Sequence, residues 1–484
     1  MKQRIGARSR GIRSIRGILF KEEKAMAPRI KGTTKWKIPA FVRSVVGRLR
    51  RAGHQAYIVG GAVRDLCMGR PAADWDVATS ASAEEIKAIF KDLRSFSLKH
   101  DTVTLVHKGR PYEVTPFRGP EQTLEDDLRH RDFTINAMAY DLGRALVIDP
   151  WGGRKDIAKA VVRAVVSPEE RFREDPLRLM RAVRIAAELG FRVEGKTRKA
   201  ISSMAGAIPM VAPERIRDEL VKVLLCERPS EGLQQLWKTG LLGWILPELV
   251  EKEKTRKGLS QAAALCRRTL TAVDQVKPDP ALRLAALFCT LARFAPSGDE
   301  RKSERAVHRI MVRLCFSRSM IRRVTRLVQE QESLAAYDPS WSDGDLRRLI
   351  SRAGEDPMEA LIALRRANLI TRGRGSGRKL KLLEEMQKRM KALMKTPLVR
   401  GPQDLAVSGS EVMEVTGLCP GPEVGAILKH LSQQLMDHPE WNTRKRLLAM
   451  AETIKSQALP DHAKGLVKRD GAAGCLKTRL EPEP

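Results

Sequence analysis

A change of apolar period near residue 150 constrains this chain more than any other feature. Before it, short alternating runs read as strands. AYIVGG (56–61) is expected to be a strand entering a glycine turn, DWDVA (74–78) a second strand, and TVTLVHKGRPYEVTPF (102–117) a hairpin around Lys108-Gly109-Arg110. Ahead of them, Phe41, Val45, Leu49 and Ala52 recur at helical spacing and stop at Gly53; between them, AVRDLCMG (62–69) and the Ile86–Leu93 region also read as helices. Beyond residue 150 the period is helical almost throughout. The expected class is α+β: a small mixed sheet with helices, followed by an all-helical remainder.

At 484 residues the chain is too long for one core, and ~100–200 residues per domain implies two to four. Lys and Arg outnumber Asp and Glu by 89 to 58, a net +31. That excess points to a polyanionic partner held mainly through phosphates. The seven cysteines have no CxxC spacing and no His cluster beside them, which excludes a disulfide scaffold or zinc site and fits a reduced cytoplasm. No apolar stretch approaches the ~18 residues of a membrane span, so a soluble protein is expected.

The stretches 295–305 and 371–379 are polar and read as surface loops or boundaries. Residues 457–484 read as disordered. The first 39 residues carry twelve Lys/Arg against two Glu; a basic disordered arm, a targeting leader and a start site upstream of Met26 all fit that composition.

The chemistry begins at Asp74 and Asp76. One residue apart on an expected strand, both carboxylates would face the same side and need a cation between them. Glu113, on the hairpin, is a third candidate ligand, and three acids on one face can hold two Mg²⁺ about 3.5–4 Å apart for in-line phosphoryl transfer. Gly60 and Gly61 permit close backbone approach to a ligand, and the following helix offers free N–H groups to a triphosphate, with Arg64 one turn in. Further on, REDPLRLMRAVR (173–184) reads by itself as a helix start, with Asp175 as N-cap and Pro176 at the first helical position. Asp175, Arg178, Arg181 and Arg184 then form one slowly drifting stripe.

Together the runs 57–80, HRDFTINAMAYD (130–141), REDPLRLMRAVR and ERIRDELVKVLL (214–225) resemble the successive motifs of class II tRNA nucleotidyltransferases, a family that also contains bacterial poly(A) polymerases. The resemblance implies a nucleotidyltransferase head at 40–148, a helical neck at 149–225 that recognises the base, a body at 226–370 and a tRNA-binding tail at 371–456. It implies template-independent addition of C, with the final A left open, from CTP and ATP to tRNA 3′ ends, with Mg²⁺ at Asp74 and Asp76, Glu113 as the third catalytic carboxylate, and contacts to the acceptor and T arms.

Asp175 and Arg178 would act as an amino-acid template. Cytosine and adenine both present an amino donor beside a ring-nitrogen acceptor, which a carboxylate and a guanidinium match. Arg131 corresponds to a nucleotide-contacting arginine. Asp132 and Asn136, four apart on an expected helix, serve the ribose or hold the motif's shape, while Arg181 and Arg184 would reach the triphosphate or ribose. Residues 408–431 and 438–448 are similar to the family's tail, with Gly421 to Gly425 read as a tight turn.

Three departures stand out. Cys289-Thr290 occupies the place of a metal-binding His-Asp in the body, so no phosphohydrolase activity is expected there. His130 replaces an arginine. The connection between the third carboxylate and HRDFTINA is only RGPEQT (118–123), where CCA-adding relatives carry a dozen or more residues; CC-adding members share that shortness, leaving the last adenosine to a separate enzyme. The alternatives are a bacterial poly(A) polymerase and an inactive RNA-binding module.

Overall fold

The computed structural model describes residues 36–97, 101–250, 270–292, 300–353, 355–371, 375–395, 399 and 401–458. Residues 1–35 of the expected basic arm, residues 295–299 and residues 459–484 lie outside them; residues 300–305, expected as part of a polar loop, instead open helix Glu300–Arg313. Helix α1 (Ala40–Arg51) forms because Val42, Val45, Val46 and Leu49 bury one stripe. It is followed by Gly53 at φ +89°. Strand β1 (Ala56–Val59) leads into α2 (Gly61–Cys67), then β2 (Asp76–Thr79) and α3 (Ala83–Ile89), whose start is fixed by a reciprocal Ser82–Glu85 capping box.

Strands β3 (Arg94–Ser97), β4 (Val103–His107) and β5 (Arg110–Pro116) follow. The β4–β5 hairpin turns on Lys108 and Gly109, both at positive φ, as a two-residue turn matched to strand twist requires. After α4 (Leu124–Arg129) come a 3₁₀ turn at Thr134–Asn136 and the pair β6 (Ala139–Asp141) and β7 (Leu146–Ile148).

The sheet order is β3-β4-β5-β2-β1-β6-β7. Only β2 and β5 run parallel, and every other pairing is antiparallel. Ile58 of β1, Leu105 of β4, and Ile86 and Phe90 in and just after α3 are fully buried. The mixed-sheet expectation therefore holds.

Helical structure takes over with α5 (Gly153–Ala158), a small parallel pair β8 (Val161–Val162) and β9 (Arg192–Val193), and α6 (Pro168–Glu174). α7 (Leu177–Leu189) buries eight of its residues and ends at Gly190 in the left-handed region. α8 (Gly195–Met204) and α9 (Pro213–Leu225) follow.

The chain divides into two compact units. One contains the residues up to Val223 together with Gln235–Ile245; the other contains Leu224–Gln234 and the chain from Leu246 onward. In the second, helix Pro280–Ala292 carries Cys289 fully buried in its core. Near the C-terminus, helices Gly409–Thr416, Pro422–Asp437 and Arg444–Ala458 pack around Val412, Leu431 and Leu447. The stretch read as a tight turn at Gly421–Gly425 is instead a helix start, with Pro422 at its first position and Gly425 inside.

Candidate active site

Parallel pairing of β2 with β5 sets Asp76 directly beside Glu113. Register partners in a sheet share a face and lie roughly 5 Å apart, so the two carboxyls meet. The expected strand, however, does not extend back to Asp74. Its neighbour β1 pairs only as far as Val59 opposite Asp76 and then turns away at Gly60, which leaves Asp74 without a ladder partner and exposed. Trp75, between the two acids, is buried.

The electrostatics still join the three acids. Burial pushes the Asp76 carboxyl up, Arg131 pulls it back, and Asp74 raises it again. Desolvation raises Glu113 too, followed by the charge of Asp76 and, after Arg118, of Asp74. The Glu113 side chain is exposed. Among the described residues no three His, Cys, Asp or Glu converge as a ready metal cage.

Gly60 shapes the floor. At φ +75° it adopts a backbone that other residues avoid, and a Cβ there would stand 3.1 Å from Arg131 Nη1 and 3.2 Å from Asp76 Oδ2. Arg64, expected to face phosphates, is buried and turned elsewhere: its Nη1 donates to Asn136 Oδ1 at 2.9 Å, and its Nε to Asp65 at 2.9 Å.

The run from His130 to Asn136 is not the helix expected from its spacing. It is a turn and bend over His130–Asp132 that reaches extended backbone at Phe133 and enters the short 3₁₀ turn, held by side chains. Asp132 Oδ1 accepts from the Phe133 amide at 2.8 Å and from Asn136 Nδ2 at 3.1 Å, while Oδ2 accepts from Arg181 Nε at 2.9 Å and Nη2 at 2.6 Å. Burial alone would raise this carboxyl; Arg181 and the hydrogen bonds overcome it and bring it down to about 2. With four donors, its lone pairs are filled. Beside it, Arg131 pairs with buried Asp127 at 3.0 Å.

Asp175 joins α6 to α7 in extended backbone. Its Oδ1 accepts from the Leu177 amide at 3.2 Å, but α7 begins at Leu177 with Pro176 in the cap position, so Asp175 is not the N-cap and Pro176 not the first helical residue expected. Both of its oxygens also meet Arg215 of α9, at 3.2 and 2.8 Å. Arg178 is held by Glu174 Oε2 at 2.7 Å and by the carbonyls of Arg171 and His130 at 3.2 and 3.0 Å. Arg184 turns away, to Glu219 at 2.8 Å and Glu188 at 2.6 Å, because a three-residue spacing drifts around a 3.6-residue helix.

One cavity of about 770 Å³ gathers these elements. Gly60, Gly61, Asp76, Arg131, Asp132, Asn136, Asp175, Arg178 and Arg181 all line it; Asp74, Glu113, Arg64 and Arg184 do not. Sequence reasoning did not single out Arg118, Glu174 or Arg215, which also line it. Arg118 opens the short connection after Phe117, and desolvation followed by Arg131 lowers its pKa. Arg215 lies within ERIRDELVKVLL, whose motif was legible but whose partner was not. The volume suits a nucleotide. Its lining combines a carboxylate able to share a cation, Asp76, with the guanidiniums of Arg118, Arg131 and Arg181 and the acceptor and donor groups of Asp175 and Arg178.

Comparison with known proteins fits that layout. A Poly A polymerase head domain model matches residues 56–163, a polymerase A RNA and SrmB-binding-site model residues 190–252, and a tRNA nucleotidyltransferase domain 2 model residues 301–451. The CCA-adding enzyme of Geobacillus stearothermophilus is 44% identical over 224 residues, which is 43% of this chain and only 55% of that protein. That of Lactiplantibacillus plantarum is 31% identical over 426 residues, covering 85% of this chain and 95% of the relative. Among solved structures, the Bacillus stearothermophilus CCA-adding enzyme in complex with CTP superposes with TM-score 0.67 at 31% identity, covering 86% of this chain and 97% of that one. The Thermotoga maritima CCA-adding enzyme complexed with tRNA shares the fold, with TM-score 0.57 at 20% identity over 86% of this chain and 95% of that one.

Proposed function

This chain belongs to the tRNA nucleotidyltransferase and poly(A) polymerase family, and on that premise we propose that it builds or repairs the CCA end of tRNA from CTP and ATP without a nucleic-acid template. The observation that carries the reading is the shared cavity: Asp175 and Arg178 stand in the same enclosure as Asp76. A base reader in reach of an acidic edge is what selective nucleotidyl transfer needs.

The donor chemistry there suits a hard divalent ion. Asp76 and Glu113 are oxygen ligands in register, and burial first, then the repulsion among Asp76, Glu113 and Asp74, pushes both carboxyls up, a repulsion that a bound cation would relieve. Mg²⁺ commonly takes one or two carboxylates and completes its shell with water and substrate phosphates. Asp76, Asp74 and Glu113 would hold it, and when bound it would lower the pKa of the tRNA 3′-hydroxyl and neutralise the departing pyrophosphate, as two-metal transferases do.

The protein's own groups do the rest. Arg131 and Arg118 attract the triphosphate; Gly60 and Gly61 let it lie against backbone. Asp175 accepts from the exocyclic amine of cytosine or adenine while Arg178 donates to the ring nitrogen. Uracil and guanine invert that pattern and leave charges unpaired, at a cost of ~1–3 kcal/mol or more. Asp132, with its acceptors filled, holds shape through Arg181 and Asn136 in place of touching ribose. The tRNA oxygen attacks the α-phosphate, the bond to pyrophosphate breaks, and the chain grows by one nucleotide. The acceptor and T arms supply the polyanion that a +31 chain attracts. Among the described residues no helix is long and apolar enough to cross a membrane; the reading places the protein in the cytoplasm.

A second reading, addition of CC only, is favoured by the 118–123 connection. The Arg118 amide donates to Asp127 at 3.4 Å and the Glu121 amide to Asp126 at 3.0 Å, while Thr123 caps α4. A connection so short and so tethered has little reach to reshape the pocket between CTP and ATP. The test is direct: tRNA lacking its last three nucleotides is given CTP, ATP, or both, and the products are sized. Growth by three with both nucleotides supports CCA addition, growth by two supports CC addition, and a long adenosine ladder overturns both in favour of poly(A) synthesis.

A further inference from the structure

Asp175 and Arg178 carry opposite charges three residues apart at the start of one helix, where side chains at that spacing meet. Left alone, they would pair with each other and close the base-reading edge. The structure prevents this with two separate partners. Arg178 is drawn to Glu174 and to the carbonyls of Arg171 and His130. Asp175 is drawn the other way, to Arg215, which comes from forty residues further along the chain and places Nη1 and Nη2 on its two oxygens at 3.2 and 2.8 Å. Arg215 lines the same cavity.

We propose, building on the function proposed above, that Arg215 is a specificity-determining positioning residue, which keeps the Asp175 carboxylate apart from Arg178 and aimed at the incoming base. Without it, Asp175 keeps only the Leu177 amide, at 3.2 Å, and its side chain is free to swing onto Arg178. A carboxylate engaged by two guanidinium N–H groups and one amide still has a lone pair for the amine of cytosine or adenine. Arg215 therefore orients the reader without occupying it. A lysine would supply the charge but not the two-point grip.

The experiment uses the full-length enzyme, a tRNA lacking its 3′ CC, and CTP or UTP as competing substrates. Arg215→Ala should raise KM for CTP more than it lowers kcat, and should reduce CTP-over-UTP discrimination by about ten- to a hundredfold, the scale of a misplaced positioning group. Arg215→Lys should fall between. The half-exposed ion pair adds little to stability, so the melting temperature should stay within a few degrees. In a double-mutant cycle, Arg215→Ala should cost nothing further once Asp175 is already Ala. Undiminished discrimination in a folded Arg215→Ala protein, or a full additional loss in the Asp175→Ala background, overturns the inference. A wild-type protein that fails to incorporate CTP would instead overturn the function on which it rests.

Discussion

Arg181 grips a single oxygen of Asp132 with two nitrogens, Nε at 2.9 Å and Nη2 at 2.6 Å. The pair ties α7, which carries Arg178, to the turn beside the glycine loop. Asp132 is buried, and removing its charge leaves the Arg181 guanidinium only the more distant Glu219, at 3.8 Å. Asp132→Asn should cost about 3–5 kcal/mol in denaturant unfolding at neutral pH. The wild-type pair also has a pH signature. The folded-state carboxyl titrates near 2 against 3.8 for the unperturbed group, so its contribution of about 2–3 kcal/mol is fully present above the unfolded value and is lost as pH falls through the folded one. Unfolding measured at pH 6 and at pH 2.5 should show that loss in the wild type and little of it in the variant.

The acidic edge predicts a metal-linked stability. Mg²⁺ that binds the folded protein should raise its melting temperature by ~2–4 °C at millimolar concentrations, and a chelator should reverse the shift. Asp76→Asn should abolish the shift and reduce nucleotide incorporation on the order of 10²–10³-fold or more, with circular dichroism unchanged. Calorimetric melts with and without Mg²⁺ check both halves.

How far the sequence spoke for itself depended on the range of each interaction. Period and turn residues placed α1, the β4–β5 hairpin and the helical remainder, because these are local. The stripe from Asp175 to Arg181 was legible for the same reason, and those residues do share one cavity with Asp76. Pairing decided the rest. Asp74 fell outside its strand because β1 had already turned at Gly60, and Arg64 found Asn136, 72 residues away. Arg184 kept the spacing of its stripe but rotated to Glu219, and Arg215 found Asp175 across a gap that no periodicity reveals.

The short connection is held at one glycine. Gly119 has φ +95°, and a Cβ there would collide with Asp126 Oδ2, the oxygen that accepts the Glu121 amide. Gly119→Ala should break that tether and cost about 1–3 kcal/mol through backbone strain and displacement. If the tether restrains the pocket, the variant should also extend CC-ended tRNA with ATP at an altered rate. Denaturant midpoints and single-turnover ATP addition read the two effects separately.

Gly60 gives the sharpest test of the cavity floor, because two independent constraints meet there. Its φ of +75° belongs to a region costly for any residue with a Cβ, and the added carbon would press on Arg131 Nη1 at 3.1 Å and Asp76 Oδ2 at 3.2 Å. Strain alone should cost about 1–3 kcal/mol. The chemistry should suffer more, since the carbon stands between the guanidinium proposed to take the triphosphate and the carboxylate proposed to take the metal. Gly60→Ala should therefore lower kcat/KM for CTP by about a hundredfold, while tRNA affinity, measured by filter binding at fixed salt, stays within about twofold because phosphate contacts elsewhere dominate it. A parallel fall in tRNA affinity would mean that the fold, and not the nucleotide cradle, had been disturbed.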